Sequence, residues 1–271
     1  MNLESLRKEI DKIDEELLSL LMKRYKYVKE IGNLKLKANH SIYVPEREKH
    51  LLSVLDKLNN GAIPNNTVKS VFTEIVSGGR QIEHPITVIC KQGKPFLHAY
   101  AAYEKLGRSI SLLFLKNYKE MFKKVKESLS YYSIIPFEDS EKGLLTTPLP
   151  DFLDSGLSIC SEIIITNPEK QGTWKRFLLI GNKPAKPTCG DKTLIYFTPK
   201  ETAGNNVQNL IEGYHVKTRL IGRLQTSKKS DTYIFAEFFK NIEDDSLPEL
   251  LRAIKDNSSF FKILGSFSVS E

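Results

Sequence analysis

The spacing of hydrophobic residues divides the chain into a helical first third and a mixed remainder. From Leu3 to about Lys37, apolar residues recur every three or four positions, which predicts one long amphipathic helix. A second helix is expected to begin at Pro45, since proline suits the first helical turn, and to end in the breaker "NNGAIPNN". A third is expected from about Thr67 to Ile82. Residues 1–84 are therefore predicted to form an all-helical domain.

The first helix is too long for a domain of this size. At 1.5 Å per residue it spans roughly 50 Å. Three helices cannot cover the whole of its apolar stripe, so the pattern predicts that a second copy of the chain packs along it. We expect a homodimer.

From residue 85 the pattern changes to short apolar runs. The strand candidates are "ITVIC", "ISLLFL", "YYSIIPF", "SEIIITN" and "RFLLIG", and a helical segment from Phe96 to Leu106 separates the first two. Such alternation of strand and helix is typical of an α/β domain. The segment "FKKVKES" is interpreted as a solvated basic face. We place this domain at residues 85–187.

After the proline-rich joint "GNKPAKPTCG" a third pattern begins. The strand candidates "TLIYFT", "VKTRLIGRL", "TYIFAEFF" and "FKILGSF" alternate with helices expected around Asn205–Glu212 and at Leu247–Lys255. The order βαββαβ is that of a ferredoxin-like α+β domain, which we place at residues 188–271.

Composition narrows the functional classes. The net charge is +7, but lysines and acids are interleaved and no nucleic-acid-binding motif appears, so a small anionic partner is favoured over nucleic acid. The three cysteines form neither a CxxC pair nor a cluster with histidine, which argues against disulfides and a metal site. Neither a leader nor a membrane-spanning run is recognised, and we expect a cytoplasmic protein.

Charged residues on apolar helix faces are the candidates for chemistry. Arg24 and Lys35 project to within about 20° of one another on the stripe of the first helix, and Glu83 continues the stripe of the third. Buried cations normally imply a bound anion or an acidic partner. Arg47 and Glu48 follow Pro45 at the head of the second helix.

Four segments together resemble the all-helical chorismate mutases over residues 1–84: "LRKEIDKIDEELLSLLMKR", "VKEIGNLK", "PEREKHLL" and "VFTEIVSGGRQIE". The resemblance implies chorismate as substrate, no metal or cofactor, and a site of Arg7, Arg24, Lys35, Arg47, Glu48 and Glu83. Arg24, Lys35, Glu48 and Glu83 would be catalytic, all but Glu83 would bind substrate, and Arg7 would reach into the partner's pocket. Val44 replaces a usual aspartate, and Gly79 a small hydroxyl residue.

Cations suit this reaction, which needs no nucleophile. Rearrangement of chorismate to prephenate requires a flexible dianion to be held in a chair-like conformer, and arginine binds each carboxylate through two parallel hydrogen bonds. Negative charge grows on the ether oxygen as the C–O bond breaks, so a fixed donor such as Lys35 favours the transition state. Glu83 donates a hydrogen bond only when protonated, so we expect activity to fall as pH rises.

Residues 86–187 resemble prephenate dehydratases, chiefly through "SYYSIIPFEDSEKGLL", but the site is degenerate. Pro95 and Leu97 occupy hydroxyl positions, and a short loop stands where the family has a further α/β lobe. At the family's Thr-Arg-Phe signature this chain has Lys175, Arg176 and Phe177, unless Thr173 substitutes for the threonine. We expect no dehydratase activity.

The tail from about Lys192 to Ser268 resembles an ACT domain with altered amino-acid-binding turns, "TAGNN" and "IGRL", and dimerisation is its expected role. Three functions stay open. The first is a chorismate mutase of phenylalanine biosynthesis with an inactive dehydratase-like part. The second is a bifunctional chorismate mutase/prephenate dehydratase, and the third is a non-catalytic regulatory partner protein.

Overall fold

The computed structural model describes residues 2–38, 40–93, 95–184, 191–200, 211, 213–225 and 232–268. The helices are α1 (Leu3–Lys37), α2 (Pro45–Asn59), α3 (Asn65–Glu83), α4 (Pro95–Leu106), α5 (Tyr118–Val125), α6 (Leu149–Ser155) and α7 (Leu247–Asp256). The strands are β1 (Thr87–Lys91), β2 (Ser111–Leu115), β3 (Tyr131–Asp139), β4 (Gly143–Leu144), β5 (Ser158–Thr166), β6 (Trp174–Gly181), β7 (Asp191–Pro199), β8 (Thr218–Gln225), β9 (Thr232–Phe238) and β10 (Ser258–Ser268).

The first three helices form the predicted all-helical unit. The Asn2 side chain accepts a hydrogen bond from the Ser5 amide and so caps α1. Helix α3 begins at Asn65, two residues before its expected start. Most of the apolar stripe of α1 is uncovered in the single chain, and its residues Leu3, Leu6, Ile10, Ile13, Leu17 and Leu20 are between 46% and 65% exposed.

The middle unit is an α/β structure built on a mixed sheet in the order β2-β1-β3-β6-β5, with β4 paired to β3. Strand β1 runs parallel to β2 and β3, whereas β6 runs antiparallel to both β3 and β5. Helix α4 contributes to the core on one face of the sheet, and α5 and α6 contribute to the core on the other. The loop 167–173 joins β5 directly to β6.

Helix α5 was not predicted from the sequence, and its basic segment is only partly a solvated face. Phe122 and Val125 are buried while Lys123 and Lys126 are exposed, so the segment is an amphipathic helix. It has only 8 residues, which is too few for a helical period to stand out. Helix α6, with 7 residues, was not predicted for the same reason.

The third unit is an antiparallel sheet in the order β10-β7-β9-β8, against which α7 buries its apolar face. This strand order agrees with the predicted βαββαβ plan. The first predicted helix of this plan and the "TAGNN" turn lie almost wholly outside the described residues. The ACT assignment therefore stays a prediction.

Six charged side chains meet between the two sheets. We call them the intersheet ion network: Glu138, Glu162 and Arg176 from the middle unit, and Lys192, Arg219 and Glu237 from the third. Arg176 Nη2 lies 2.7 Å from Glu162 Oε2, and Arg219 Nη1 lies 2.7 Å from Glu138 Oε1. The network therefore joins the two sheets, which also share a hydrophobic core.

Among the residues that the structure describes, every helix is too short or too polar to cross a bilayer.

Candidate functional site

A cavity of about 350 Å³ lies between the three N-terminal helices and the segment joining α1 to α2. It is lined by Arg24, Val28, Ile31, Lys35, Ile42, Val44, Arg47, Glu48, Leu51, Val76, Gly79, Arg80 and Glu83. Five of the six residues expected at the mutase site thus meet in one place. The sixth, Arg7, does not.

Arg24 has a buried guanidinium nitrogen that is available to a ligand. Its Nη1 atom is buried and has no hydrogen-bond partner among the described residues. A Cβ atom added at Gly79 would lie 3.3 Å from this nitrogen, so the glycine leaves room beside it. A buried donor without an acceptor is unfavourable, which makes this atom a candidate contact for an anion.

Lys35 and Glu83 form an ion pair at the end of the cavity. The Lys35 Nζ and Glu83 Oε1 atoms are 2.5 Å apart, without hydrogen-bond geometry, and Nζ also donates to the Ile42 carbonyl at 3.2 Å. Gly32 allows α1 and α3 to approach here, since a Cβ atom on it would lie 2.6 Å from Glu83 Cγ.

Arg80 is a cavity residue that the sequence analysis missed. Its Nη1 donates to Glu48 Oε1, and its side chain is 5% exposed. Arg80 follows Val76 by four positions and precedes Glu83 by three, so helical spacing alone places it on the same face of α3. That spacing could have found it.

Arg47 lies exposed at the cavity, in the first turn of α2. Val44 is the N-cap residue of that helix and makes no side-chain cap, so the departure from aspartate leaves the helix start without a polar side-chain partner. Arg7 is exposed and 17 residues from Arg24, about 25 Å along α1, so it cannot reach the cavity of its own chain.

The residues of the degenerate dehydratase signature are not brought together. Thr173 and Lys175 line a shallow groove of about 550 Å³ beside Asp139, and Lys175 Nζ lies 3.3 Å from Asp139 Oδ2. The Thr173 hydroxyl donates to the Lys170 carbonyl of its own loop. Lys175 at the start of β6 is thus paired with the buried Asp139 at the end of β3.

Arg176 and Phe177 point elsewhere. Arg176 is 1% exposed and belongs to the intersheet ion network, where its guanidinium contacts three carboxylates. The Phe177 ring packs edge-on against His98, with 5.6 Å between ring centres. Burial lowers the pKa of His98.

The described cysteines are poor nucleophiles. Burial raises the pKa of the Cys90 and Cys160 thiols to about 12, so both stay protonated at neutral pH. Cys189 lies outside the described residues. Within the described ranges, no group of three histidine, cysteine or acidic side chains is arranged to hold a metal ion.

Comparisons with known proteins agree with two of the three resemblances. Residues 6–84 match the family chorismate mutase type II. The chain is 26% identical to the bifunctional chorismate mutase/prephenate dehydratase of Aquifex aeolicus strain VF5, over 98% of this chain and 97% of the relative. That alignment runs over 352 positions whereas this chain has 271 residues, so more than 80 residues of the relative have no counterpart here.

Solved structures resemble about two thirds of the chain. GqqA, a quorum quenching acylase, has a TM-score of 0.57 and 18% identity over 68% of this chain and 95% of its own. A prephenate dehydratase from Streptococcus mutans has a TM-score of 0.52 and 18% identity over 69% of this chain and 100% of its own. At this identity the likeness shows a shared fold alone.

Proposed function

Because residues 6–84 form a domain of the chorismate mutase type II family, fused to a unit with the fold of prephenate dehydratases, we propose that the helical cavity converts chorismate to prephenate. We further propose that the dehydratase-like unit has lost its own reaction. The chain would then act in aromatic amino acid biosynthesis, in the cytoplasm, at the step that precedes phenylpyruvate formation.

The observation that carries the proposal is that Arg24 Nη1 is buried and has no partner in the part of the chain that the structure describes, in a cavity that also presents Lys35. A dianion such as chorismate supplies acceptors for both cations. The cavity wall combines these two cations with the apolar side chains of Val28, Ile31 and Leu51, which fits an apolar ring that carries carboxylates.

The chemistry follows from holding and polarising the substrate. Arg24 and Arg47 would bind carboxylates and so restrict the substrate to its reactive conformer. Lys35 would donate to the ether oxygen as the C–O bond breaks. Glu48 would accept a hydrogen bond from the ring hydroxyl, and Glu83, when protonated, would be a second donor to the ether oxygen.

Loss of dehydratase activity is supported by what surrounds the Thr-Arg-Phe position. A reaction that expels hydroxide and carbon dioxide needs a site closed to water, but loop 167–173 leaves the groove at Lys175 open. Arg176 is committed to the intersheet ion network. The residues of the Aquifex relative that lack a counterpart are enough for a further lobe.

Homodimerisation is supported by the exposed apolar stripe of α1 and by the distance of Arg7 from its own cavity. Exposed apolar side chains that form a continuous stripe mark a protein–protein contact. A second α1 packed along it would cover the stripe and would carry Arg7 to the partner's cavity, which matches the role that the resemblance implies. The third unit is a second candidate dimer contact.

Two other functions are kept because particular observations favour them. The relation to a bifunctional enzyme over nearly the whole chain favours a chorismate mutase/prephenate dehydratase with an unusually compact site. The altered Val44 and Gly79 favour a non-catalytic regulatory partner protein that keeps the fold without the activity.

The test is a steady-state assay of the full chain with chorismate and with prephenate as separate substrates. We expect chorismate consumption, prephenate detected after acidification, and no phenylpyruvate formed from prephenate at neutral pH. Phenylpyruvate formed directly would establish the bifunctional enzyme, and unconsumed chorismate would favour the regulatory partner.

Variants connect the reaction to the cavity. Arg24→Ala and Lys35→Ala should each lower kcat by about a hundredfold or more, as for loss of one preorganised donor. Arg252→Met, on the exposed face of α7, is the control and should leave kcat unchanged. Unchanged turnover in both cavity variants would refute the assignment of this cavity.

A further inference from the structure

Arg80 connects the cavity to the middle unit. Its Nη1 donates to Glu48 Oε1, its Nη2 donates to the Leu106 carbonyl, and its Cζ lies 5.7 Å from the centre of the Tyr43 ring. Both outer nitrogens of the guanidinium are therefore engaged. Because the guanidinium is a rigid planar fork, the position of Leu106 helps to determine the position of Glu48.

Glu48 needs such support because it lies at the edge of the cavity. Its side chain is 23% exposed, whereas that of Arg80 is 5% exposed. A glutamate on an exposed helix start loses rotamer freedom when it is fixed, and a charge-assisted hydrogen bond offsets that loss. Arg80 in turn needs a carboxylate, since a buried unpaired cation is strongly unfavourable.

The Leu106 carbonyl is well placed to accept a hydrogen bond from Arg80. Leu106 is the last residue of α4, and carbonyl groups at a helix C-terminus lack an intrahelical donor and carry partial negative charge. The same helix end also faces Glu48: burial lowers the pKa of Lys105, and the charge of Glu48 opposes that shift.

The turn after α4 is docked tightly on α3. A Cβ atom added at Gly107, where φ is +72°, would lie 2.5 Å from Ser77 Cβ, so the two backbones approach as closely as glycine allows. The Ser109 amide donates to Ser77 Oγ at 3.0 Å, and the Arg108 amide donates to Glu74 Oε2 at 3.0 Å. We call residues 106–109 the docking turn.

We propose that Arg80 is a positioning residue: it orients Glu48 toward the substrate and makes mutase turnover depend on the docking of the middle unit through the docking turn. The proposal rests on the proposed function, in which Glu48 contacts the ring hydroxyl of chorismate. It assigns the dehydratase-like unit a role in the mutase reaction whether or not that unit is itself active.

A double-mutant cycle tests the first half. Arg80→Met and Glu48→Gln should each lower kcat/KM for chorismate by tenfold or more. The kcat/KM of the double variant should stay within threefold of that of the less active single variant, because both changes remove the same Arg80–Glu48 contact. Arg80→Lys keeps the charge and should recover part of the loss. Effects that multiply in the double variant, or an Arg80→Met enzyme within twofold of wild type, would overturn the proposal.

The second half is tested away from the cavity. Ser77→Ala and Glu74→Ala remove acceptors for the docking turn without touching cavity residues, and each should lower kcat/KM threefold or more, with Arg252→Met as the unaffected control. Melting curves monitored by circular dichroism identify variants that fail to fold. Unchanged kcat/KM in a folded Ser77→Ala, Glu74→Ala double variant would overturn the dependence on docking.

Hydrogen exchange separates this proposal from the proposed function. In Arg80→Met the amides of Arg108 and Ser109 should exchange faster than in wild type, while amides of β9 should not change. Exchange can be measured even if the wild-type chain does not consume chorismate. In that case the proposed function fails, but the exchange rates still test whether Arg80 holds the docking turn. Unaltered exchange at both amides would refute the link to the docking turn.

Discussion

At the scale of single residues, we predict that Glu83 makes the mutase reaction depend on pH. Its carboxyl lies beside Lys35 in the cavity, and it can donate a hydrogen bond to the ether oxygen only when protonated. Because an ionised carboxylate cannot donate, we expect kcat at saturating chorismate to be lower in alkaline than in acidic buffer. Glu83→Gln, which donates from a neutral amide at any pH, should flatten the profile.

The control is Glu243→Gln, which removes an exposed carboxylate in the third unit. Its profile should follow that of wild type. A wild-type profile that is already flat from acidic to mildly alkaline pH would show that Glu83 is not a donor to the ether oxygen.

We predict that His98 makes the free energy of unfolding depend on pH. Burial lowers its folded-state pKa, so below about 6.5, the ordinary value, the unfolded chain binds a proton that the folded chain does not. The free energy of unfolding should therefore decrease as pH falls from about 6.5 toward the folded-state pKa. His98→Phe keeps a ring against Phe177 and should weaken this dependence.

Urea unfolding at about pH 7.5 and about pH 5.5, on either side of the ordinary histidine value, measures the effect. His50→Phe changes an exposed histidine of α2 and serves as the control. If His98→Phe loses as much stability between the two pH values as wild type, His98 is not responsible.

At the scale of elements, the contact of α1 with α3 depends on Gly32. A Cβ atom there would lie 2.6 Å from Glu83 Cγ and 3.0 Å from Glu83 Cα, so Gly32→Ala must separate the helices. Alanine favours helix by about 1 kcal/mol over glycine, but overpacking costs about 1–3 kcal/mol. We expect lower stability and a lower kcat, because Lys35 and Glu83 are displaced.

Asn33→Ala is the matched control, since Asn33 is exposed and neighbours Gly32 in α1. It gains helix propensity without a new contact and should be neutral or stabilising in thermal unfolding. A Gly32→Ala protein at least as stable and as active as Asn33→Ala would show that the close approach is unimportant.

At the scale of the whole molecule, we predict that two protomers share each active site. Arg7→Ala and Arg24→Ala should both be nearly inactive alone. Mixed and allowed to exchange subunits, they should recover about a quarter of wild-type turnover, because half of the dimers are then mixed and each has one intact site of two. Turnover is measured before and after exchange.

Subunit exchange itself must be shown, for example by mass spectrometry of differently labelled chains. No recovery of turnover despite exchange would contradict a pocket completed in trans. A wild-type chain that stays monomeric at assay concentrations and is active would contradict it as well.

The sequence predicted those elements whose hydrophobic pattern extends over many residues, and those site residues whose charge lies on an apolar helix face. Helix α1 has 35 residues, and its period identified both its length and the side that Arg24 and Lys35 share. The four strands expected in the third unit are present as β7 to β10, whereas the first helix of the predicted βαββαβ plan lies almost wholly outside the described residues. Helices α5 and α6 have 8 and 7 residues, and at that length a helical period cannot be distinguished from chance.

What the sequence could not supply is the pairing of charges between distant segments. Arg80 lies in α3, but its partners Glu48 and Leu106 are 32 and 26 residues away. Arg176 stands at a position that suggested catalysis, and it is instead buried against Glu162 and Glu237. Only the folded arrangement decides which carboxylate each cation meets.

The intersheet ion network also determines what happens when the chain is divided. The middle unit contributes two carboxylates and one guanidinium, and the third unit contributes two cations and one carboxylate, so the two surfaces carry net charges of −1 and +1. Glu162 and Glu237 are fully buried, and in separated pieces each would meet water. Two fragments expressed separately, divided within residues 185–190, should reassociate, and should do so faster at low ionic strength than in salt, because salt screens the attraction between their oppositely charged surfaces.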